Sequence, residues 1–200
     1  MWGIQPYKNT REDVTYIRCP NEHDLIMEFM SFWTKNYPDV ITGWNTDFFD
    51  VPYLANRIKQ VCGEDKMREL SPWKNVSARQ IYSMGRNHLM YDIMGVSQYD
   101  YLQLYQKFTY TRQESYKLDY IASVELGEKK DENPYETFRE WYENDFQSFI
   151  DYNIQDVEIV DKLEDKMGLI DLALTMAYEG KVNYSDVFGQ VKYWDILIYN

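Results

Sequence analysis

The chain lacks several things that would place it quickly. Cysteine is nearly absent: Cys19 and Cys62 are the two in 200 residues. They are far apart, which excludes a disulfide framework and zinc-ligand spacing and suits reduced thiols. No apolar run approaches the roughly 20 residues that a membrane helix needs. The Met1-Trp2-Gly3 start has no basic stretch followed by an apolar one, so no signal peptide is read there. The expectation is a cytoplasmic protein with no membrane partner. Positive charge is also short. Lys and Arg number 21 against 33 Asp and Glu, a net charge of −12. Free-standing nucleic-acid binders draw affinity from an excess of Lys and Arg, so this balance speaks against one. It fits carboxylates that hold metal ions, or a basic partner surface on another chain. No repeat or low-complexity tract is present.

What is present is a core and many rings. Hydrophobic residues make up 44% of the chain, with 19 Tyr and 6 Trp. That is enough for one globular domain over residues 1–200 and for surfaces that stack on planar ligands.

Residues 41–58 are the most informative stretch. Val40, Ile41 and Thr42 suit a short buried strand; Gly43 to Phe49 form a loop. Pro52 sits where the first turn of a helix tolerates it. Val51, Leu54, Ala55, Ile58 and Val61 then recur at helical spacing, and Gly63 can end the helix. Asp50 thus falls where a strand hands over to a helix. The ordinary role for an aspartate there is an N-cap, stabilising by about 1 kcal/mol. The alternative is a site residue, since sites in α/β proteins gather at the carboxyl ends of strands.

Elsewhere, Val14–Arg18 reads as a strand and Asn21 as the cap of a helix whose stripe is Leu25, Ile26, Phe29, Phe32 and Trp33. Ser71-Pro72 to Ile93 reads as irregular or as a hairpin, in which Met84 to Asn87 would turn between Gln80-Ile81-Tyr82 and Leu89-Met90-Tyr91. Asp100 to Phe108 reads as a strand leading into a helix. Leu118 to Val124 is another short helix, and Gly127 to Pro134 a surface loop. From Thr137 to Glu179 the chain reads as helix, with a break at Gly168. Alternating strands and helices predict the α/β class.

The last long helix carries the second signal. At about 100° per residue, Phe146, Phe149, Ile150, Val157, Ile159, Val160 and Leu163 share one face. Gln147, Asp151, Gln155, Glu158 and Lys162 fall opposite. Asp156 breaks the rule by projecting into the apolar arc, one turn after Tyr152. A carboxylate aimed at a core costs several kcal/mol unless paired or metal-bound. Pairing with Lys or Arg, or a solvated edge of the arc, is the plain alternative. Asp156-Val157-Glu158 is not a metal-binding pair, because residues two apart on a helix point about 200° from each other. Tyr152 shares a face with Asp156. Either it is a core aromatic or its hydroxyl orients a water.

Asn45-x-x-x-Phe49-Asp50 followed by Val51-Pro52-Tyr53, and Tyr152-Asn-Ile-Gln-Asp156, resemble the second and third exonuclease motifs of family B DNA polymerases, in the T-even-like bacteriophage branch. Tyr37 to Asn45, Gly95-Val96-Ser97, Asp100-Tyr101-Leu102, Ser115 to Tyr120 and Val191 to Asp195 add to the resemblance, which runs from about Val14 to Asn200. It implies a ribonuclease-H-like 3′→5′ proofreading exonuclease hydrolysing the 3′-terminal phosphodiester of DNA with two divalent ions. Mg²⁺ or Mn²⁺ suits hard carboxylate oxygens. By resemblance Asp50 and Asp156 ligate metal, Tyr152 positions the water, and Asn45 and Phe49 contact the single-stranded 3′ end. The hairpin near Gly85 falls where phage relatives carry one implicated in parting primer from template. The remainder of the polymerase, in cis or in trans, is the expected partner.

The family's first motif, Asp-x-Glu on a strand, has no counterpart before Val14. The expectation is therefore a partial exonuclease domain that lacks its first strands, exposes a sheet edge, and is weakly active or inactive alone. The competing class is a non-catalytic, exonuclease-like module that scaffolds replication proteins or DNA. A ribonuclease acting on RNA is a weaker third, since nothing addresses a 2′-hydroxyl.

Overall fold

The computed structural model describes residues 1–83, 85–128 and 134–199, the side chains of residues 83, 190 and 192 aside. It is mixed α/β. Among the described residues six strands form three pairs: parallel β1 (Trp2–Gly3) with β2 (Ile17–Arg18), parallel β3 (Val40–Gly43) with β6 (Ser97–Asp100), and the antiparallel hairpin β4 (Val76–Ser83) with β5 (Arg86–Ile93). The expected strand from Val14 contracts to Ile17–Arg18. The hairpin is as expected, although Arg86 and Asn87 lie within β5, paired with Ser83 and Tyr82, rather than in the turn. Met84, and part of the loop expected over Gly127 to Pro134, fall outside the described residues.

Helix α1 (Glu22–Lys35) starts as its sequence predicts: Asn21 Oδ1 accepts the Asp24 amide at 2.9 Å. Helix α2 (Asp50–Cys62) ends at Gly63, whose φ of 92° suits glycine. A short α3 (Glu64–Arg68), not foreseen, follows at once. These helices bury Ile26, Met30, Val51, Ala55, Ile58, Met67 and Leu70 against Tyr91 and Ile93 of β5.

The second half is helical: α4 (Tyr101–Phe108), α5 (Leu118–Glu125), α6 (Phe138–Asn144), α7 (Phe146–Met167), α8 (Leu169–Gly180), a 3-10 turn (Tyr184–Phe188) and α9 (Gln190–Tyr199). The helix expected from Thr137 breaks twice. Asp145 both ends α6 and begins α7, its carboxylate accepting the Ser148 amide at 3.1 Å. Gly168 then takes a left-handed conformation, φ 61° and ψ 36°. Glu164 bridges that break by accepting the Ile170 amide, and Tyr101 donates its hydroxyl to the same carboxylate at 3.0 Å. Nothing lies within 4 Å of where a Cβ on Gly168 would point. Gly168→Ala is thus expected to cost about 1 kcal/mol from backbone strain alone. A thermal melt should show a fall of about 2–4 °C; an unchanged midpoint would contradict the account.

The main core joins Tyr99, Tyr101, Leu104, Tyr105, Ile121, Ala122, Ile159, Val160, Leu163, Leu169 and Ala173. Most of the predicted face of α7 is therefore buried, with Phe146 and Ile150 in a third cluster beside Ile154. Val157 is the exception: it is 69% exposed, so the apolar arc is narrower there than the helical wheel drew it. The N-terminal segment lies along the other side of α7. Tyr7 donates to Asp151 at 2.7 Å, Lys8 and Gln147 exchange hydrogen bonds, and Arg11 pairs with Glu158. Glu158 is hence an ion-pair partner for this strap, and not the plain surface charge its position suggested.

Candidate active site

The two parallel strands end together. Gly43 of β3 is in register with Asp100 of β6, so their carboxyl ends open at one level. From Gly43 the chain runs through a tight loop into α2; from Asp100 it turns into α4. The loop is folded on itself, with the Phe49 amide bonded to Asn45 O and the Val51 amide to Thr46 O, at 3.1 and 3.0 Å. Asn45 adopts φ 64°, a left-handed conformation that asparagine tolerates better than most residues.

Asp50 is the first helical residue of α2. Phe49 occupies the N-cap position, and no side chain caps this helix. The N-cap reading of Asp50 is therefore corrected: the carboxylate belongs to the first turn, where the helix dipole still favours it. The residue as a whole is exposed. Burial of that group raises its pKa above the ordinary carboxylate value, and the charges of Asp100 and Asp156 raise it further. The fold thus sets Asp50 within reach of the charge of Asp156, 106 positions away in sequence. Asp156 is half-buried on α7.

Tyr152, one turn earlier on α7, is half-buried and sits against α6. Its ring meets Trp141 edge-on at 4.8 Å and Phe138 at 6.0 Å. Trp141 is 2% exposed and donates its indole N–H to Ser148 at 2.6 Å. So the ring of Tyr152 does serve as a packing aromatic, held in place beside Asp156. Phe49 is 66% exposed, free to meet a planar ligand. Phe48, its neighbour, packs on His88 of the hairpin, the ring centroids 4.7 Å apart and the planes tilted by 52°.

Two acids were not singled out as site residues from the sequence. Asp100 is 1% exposed. Its Oδ1 accepts the amides of Asn45 at 2.9 Å and Leu102 at 3.0 Å, and its Oδ2 that of Asp47 at 3.3 Å. Burial raises its pKa, while those amides pull the other way. Asp47 is 9% exposed. Its Oδ2 accepts from Gln103 at 2.8 Å, and its Oδ1 is buried with no hydrogen-bond partner among the described residues. Burial first, then the charge of Asp100, pushes the Asp47 carboxyl up to about 6. Asp47 falls in the loop expected over Gly43 to Phe49; only the fold, by bringing residues 47 and 100 together, shows it to be buried.

The donor set is all carboxylate oxygen, the chemistry that Mg²⁺ and Mn²⁺ prefer. It is also sparse. No group of three or more His, Cys, Asp or Glu able to hold a metal is found among the described residues. The carboxylates of Asp50 and Asp156 are of the ligand type that such an ion takes.

Comparison with known proteins agrees with the geometry. The family model for the exonuclease domain of DNA polymerase family B matches residues 4–121. The chain belongs to this family. The matched span holds Asn45, Phe49 and Asp50; Tyr152 and Asp156 lie beyond it. The chain is 38% identical over 191 residues to the DNA-directed DNA polymerase of Escherichia phage RB69, and 40% identical over 188 residues to that of Enterobacteria phage T4. Each alignment covers 94% of this chain but 21% of the relative, so the family B exonuclease-domain chain spans about a fifth of the phage polymerases it matches. The DNA polymerase delta catalytic subunit of Candida albicans is 34% identical over 118 residues, 56% of this chain and 11% of that one. No helix among the described residues is long and apolar enough to cross a membrane.

Proposed function

We propose that this family B exonuclease domain serves 3′→5′ proofreading in a T-even-like phage polymerase, on a ribonuclease-H-like fold. The observation that carries the reading is the charge of Asp156 on α7 acting on Asp50, the first residue of the helix that follows β3 and its loop. Like charges at a desolvated place disfavour each other until a cation joins them. Tyr152 stands one turn from Asp156 on the same helix, and Phe49 is exposed beside Asp50.

The division of labour follows from position. Asp50 and Asp156 would each give oxygens to divalent ions. When bound, such ions stabilise the attacking and leaving oxygens of a phosphodiester displacement. The Tyr152 hydroxyl, on a ring fixed by Trp141, orients the attacking water. Phe49 and Asn45 receive the unpaired 3′-terminal nucleotides. The rest of the polymerase is the expected partner. The absence of a three-ligand cluster among the described residues favours a second reading, a non-catalytic module of the same fold. It also predicts that the 200-residue chain alone holds Mn²⁺ weakly and hydrolyses single-stranded DNA little. Rapid shortening of an oligonucleotide by the purified chain, abolished in Asp156→Ala, would contradict that.

The substrate side is tested by titrating single strands carrying 2-aminopurine at either the 3′ or the 5′ end. Binding should favour the 3′ end. Phe49→Ala should weaken it about 5- to 150-fold, since one base–aromatic stack contributes about 1–3 kcal/mol. Equal binding of both ends, unaffected by Phe49→Ala, would sink the proofreading reading.

A further inference from the structure

We infer that Asp100 is a positioning residue for this site, a buried anion that sets the loop presenting Asn45, Phe49 and Asp50. The inference rests on the proposed reading of Asp50 as a metal ligand. An aspartate that merely begins a helix needs one acceptor contact, here the Leu102 amide at 3.0 Å. Asp100 makes two more, and both go across the sheet to the loop after β3: the amides of Asn45 and Asp47 at 2.9 and 3.3 Å. Gly43 and Asp100 are register partners, so a side chain leaving β6 at that level faces the opening of the loop. The loop has six residues between Gly43 and Asp50. One carboxylate fixes two of its amides, including that of Asn45 at the left-handed turn.

With those amides fixed, the later bonds Phe49 N to Asn45 O and Val51 N to Thr46 O start α2 at Asp50 and at no other residue. Asp100 is 1% exposed, and its hydrogen bonds are to neutral amides. A buried anion whose hydrogen bonds come from neutral amides is costly in a fold that needs only a helix cap, where serine would do. The second function, shaping the loop, accounts for an acid with two acceptor oxygens.

Asp100→Ser separates the two roles. Serine can still cap α4 through the Leu102 amide but is too short to serve the loop. Asp100→Asn keeps one carbonyl oxygen and is the conservative rescue. Three measurements are made on the full chain and its variants: circular dichroism, amide hydrogen exchange residue by residue, and Mn²⁺ affinity from the loss of the free-ion EPR signal, with Asp50→Asn as reference. In Asp100→Ser the expected result is native helix content, fast exchange at Asn45 and Asp47 with α4 still protected, and Mn²⁺ affinity down about tenfold or more, as for other groups that orient metal ligands. Asp100→Asn should restore protection at Asn45 and part of the affinity. Unchanged exchange at Asn45 and Asp47 overturns the inference. So does a loss of Mn²⁺ affinity in Asp50→Asn that Asp100→Ser does not share. Unchanged Mn²⁺ binding in Asp50→Asn overturns the metal reading of Asp50, and the positioning role falls with it. If Asp100→Ser does not fold, Asp100→Asn decides: native-like exchange at Asp47 and unchanged Mn²⁺ affinity there also overturn the inference.

Discussion

Asp47→Asn should change how stability depends on pH. The folded Asp47 carboxyl, at about 6, lies above its ordinary value of 3.8 because it is buried beside Asp100. Between those two pH values the folded chain holds a proton that the unfolded chain has released. Its contribution to stability is therefore complete below about pH 4 and is lost as pH rises through 6. About two pKa units at about 1.36 kcal/mol each give a loss of about 3 kcal/mol from this residue between pH 4 and pH 7.5. Asparagine is isosteric and does not titrate. Relative to the wild type, Asp47→Asn should gain about 3 kcal/mol over that interval, read from urea midpoints at the two pH values in metal-free buffer. Parallel pH profiles for the two proteins would show that Asp47 is not a strained buried acid.

Trp141→Ala should have the largest effect on stability. The indole is 2% exposed, meets Phe138, Phe149 and Tyr152, and donates to Ser148. Emptying such a position costs about 3–5 kcal/mol. Tyr152 loses its nearest ring neighbour in the same step, so near-ultraviolet dichroism should change along with the urea midpoint. A loss below about 1 kcal/mol would mean that α6 does not brace the face of α7 that carries Tyr152 and Asp156.

What could be read in the sequence was what local physics decides. The β-branched run at Val40, the early Pro52 and the closing Gly63 delimited β3 and α2 because each acts through its own backbone. Asn21 capped α1 for the same reason. Asp156 stood out because a helix repeats regularly enough to expose one misplaced charge. The local rule failed at Asp50, where Phe49 takes the cap position and the loop's own hydrogen bonds start the helix. It failed again at Val157, since a wheel assigns faces without knowing what packs on them. Asp47 and Asp100 were invisible as buried acids. Their burial comes from contacts 53 positions apart, which no local pattern encodes. Glu158 needed Arg11, from the far end of the chain, to become more than a surface charge.

The same geometry explains how a chain with net charge −12 fits a family that handles DNA. Asp47, Asp50, Asp100 and Asp156 act on one another through their charges, which disfavours ionisation unless a cation is near. Under the proposed function, cations held there would be needed before phosphates are attracted, so that metal would bind first and DNA second.

The most direct test of this account is therefore a Mn²⁺ titration followed by EPR on the wild-type chain, Asp50→Asn and Asp156→Asn. The account predicts weak binding to the wild type and a fall in affinity of about tenfold or more, about 1.4 kcal/mol, in each variant, with both still folded by circular dichroism. Mn²⁺ binding that is the same in all three proteins would contradict the claim that Asp50 and Asp156 share a metal site.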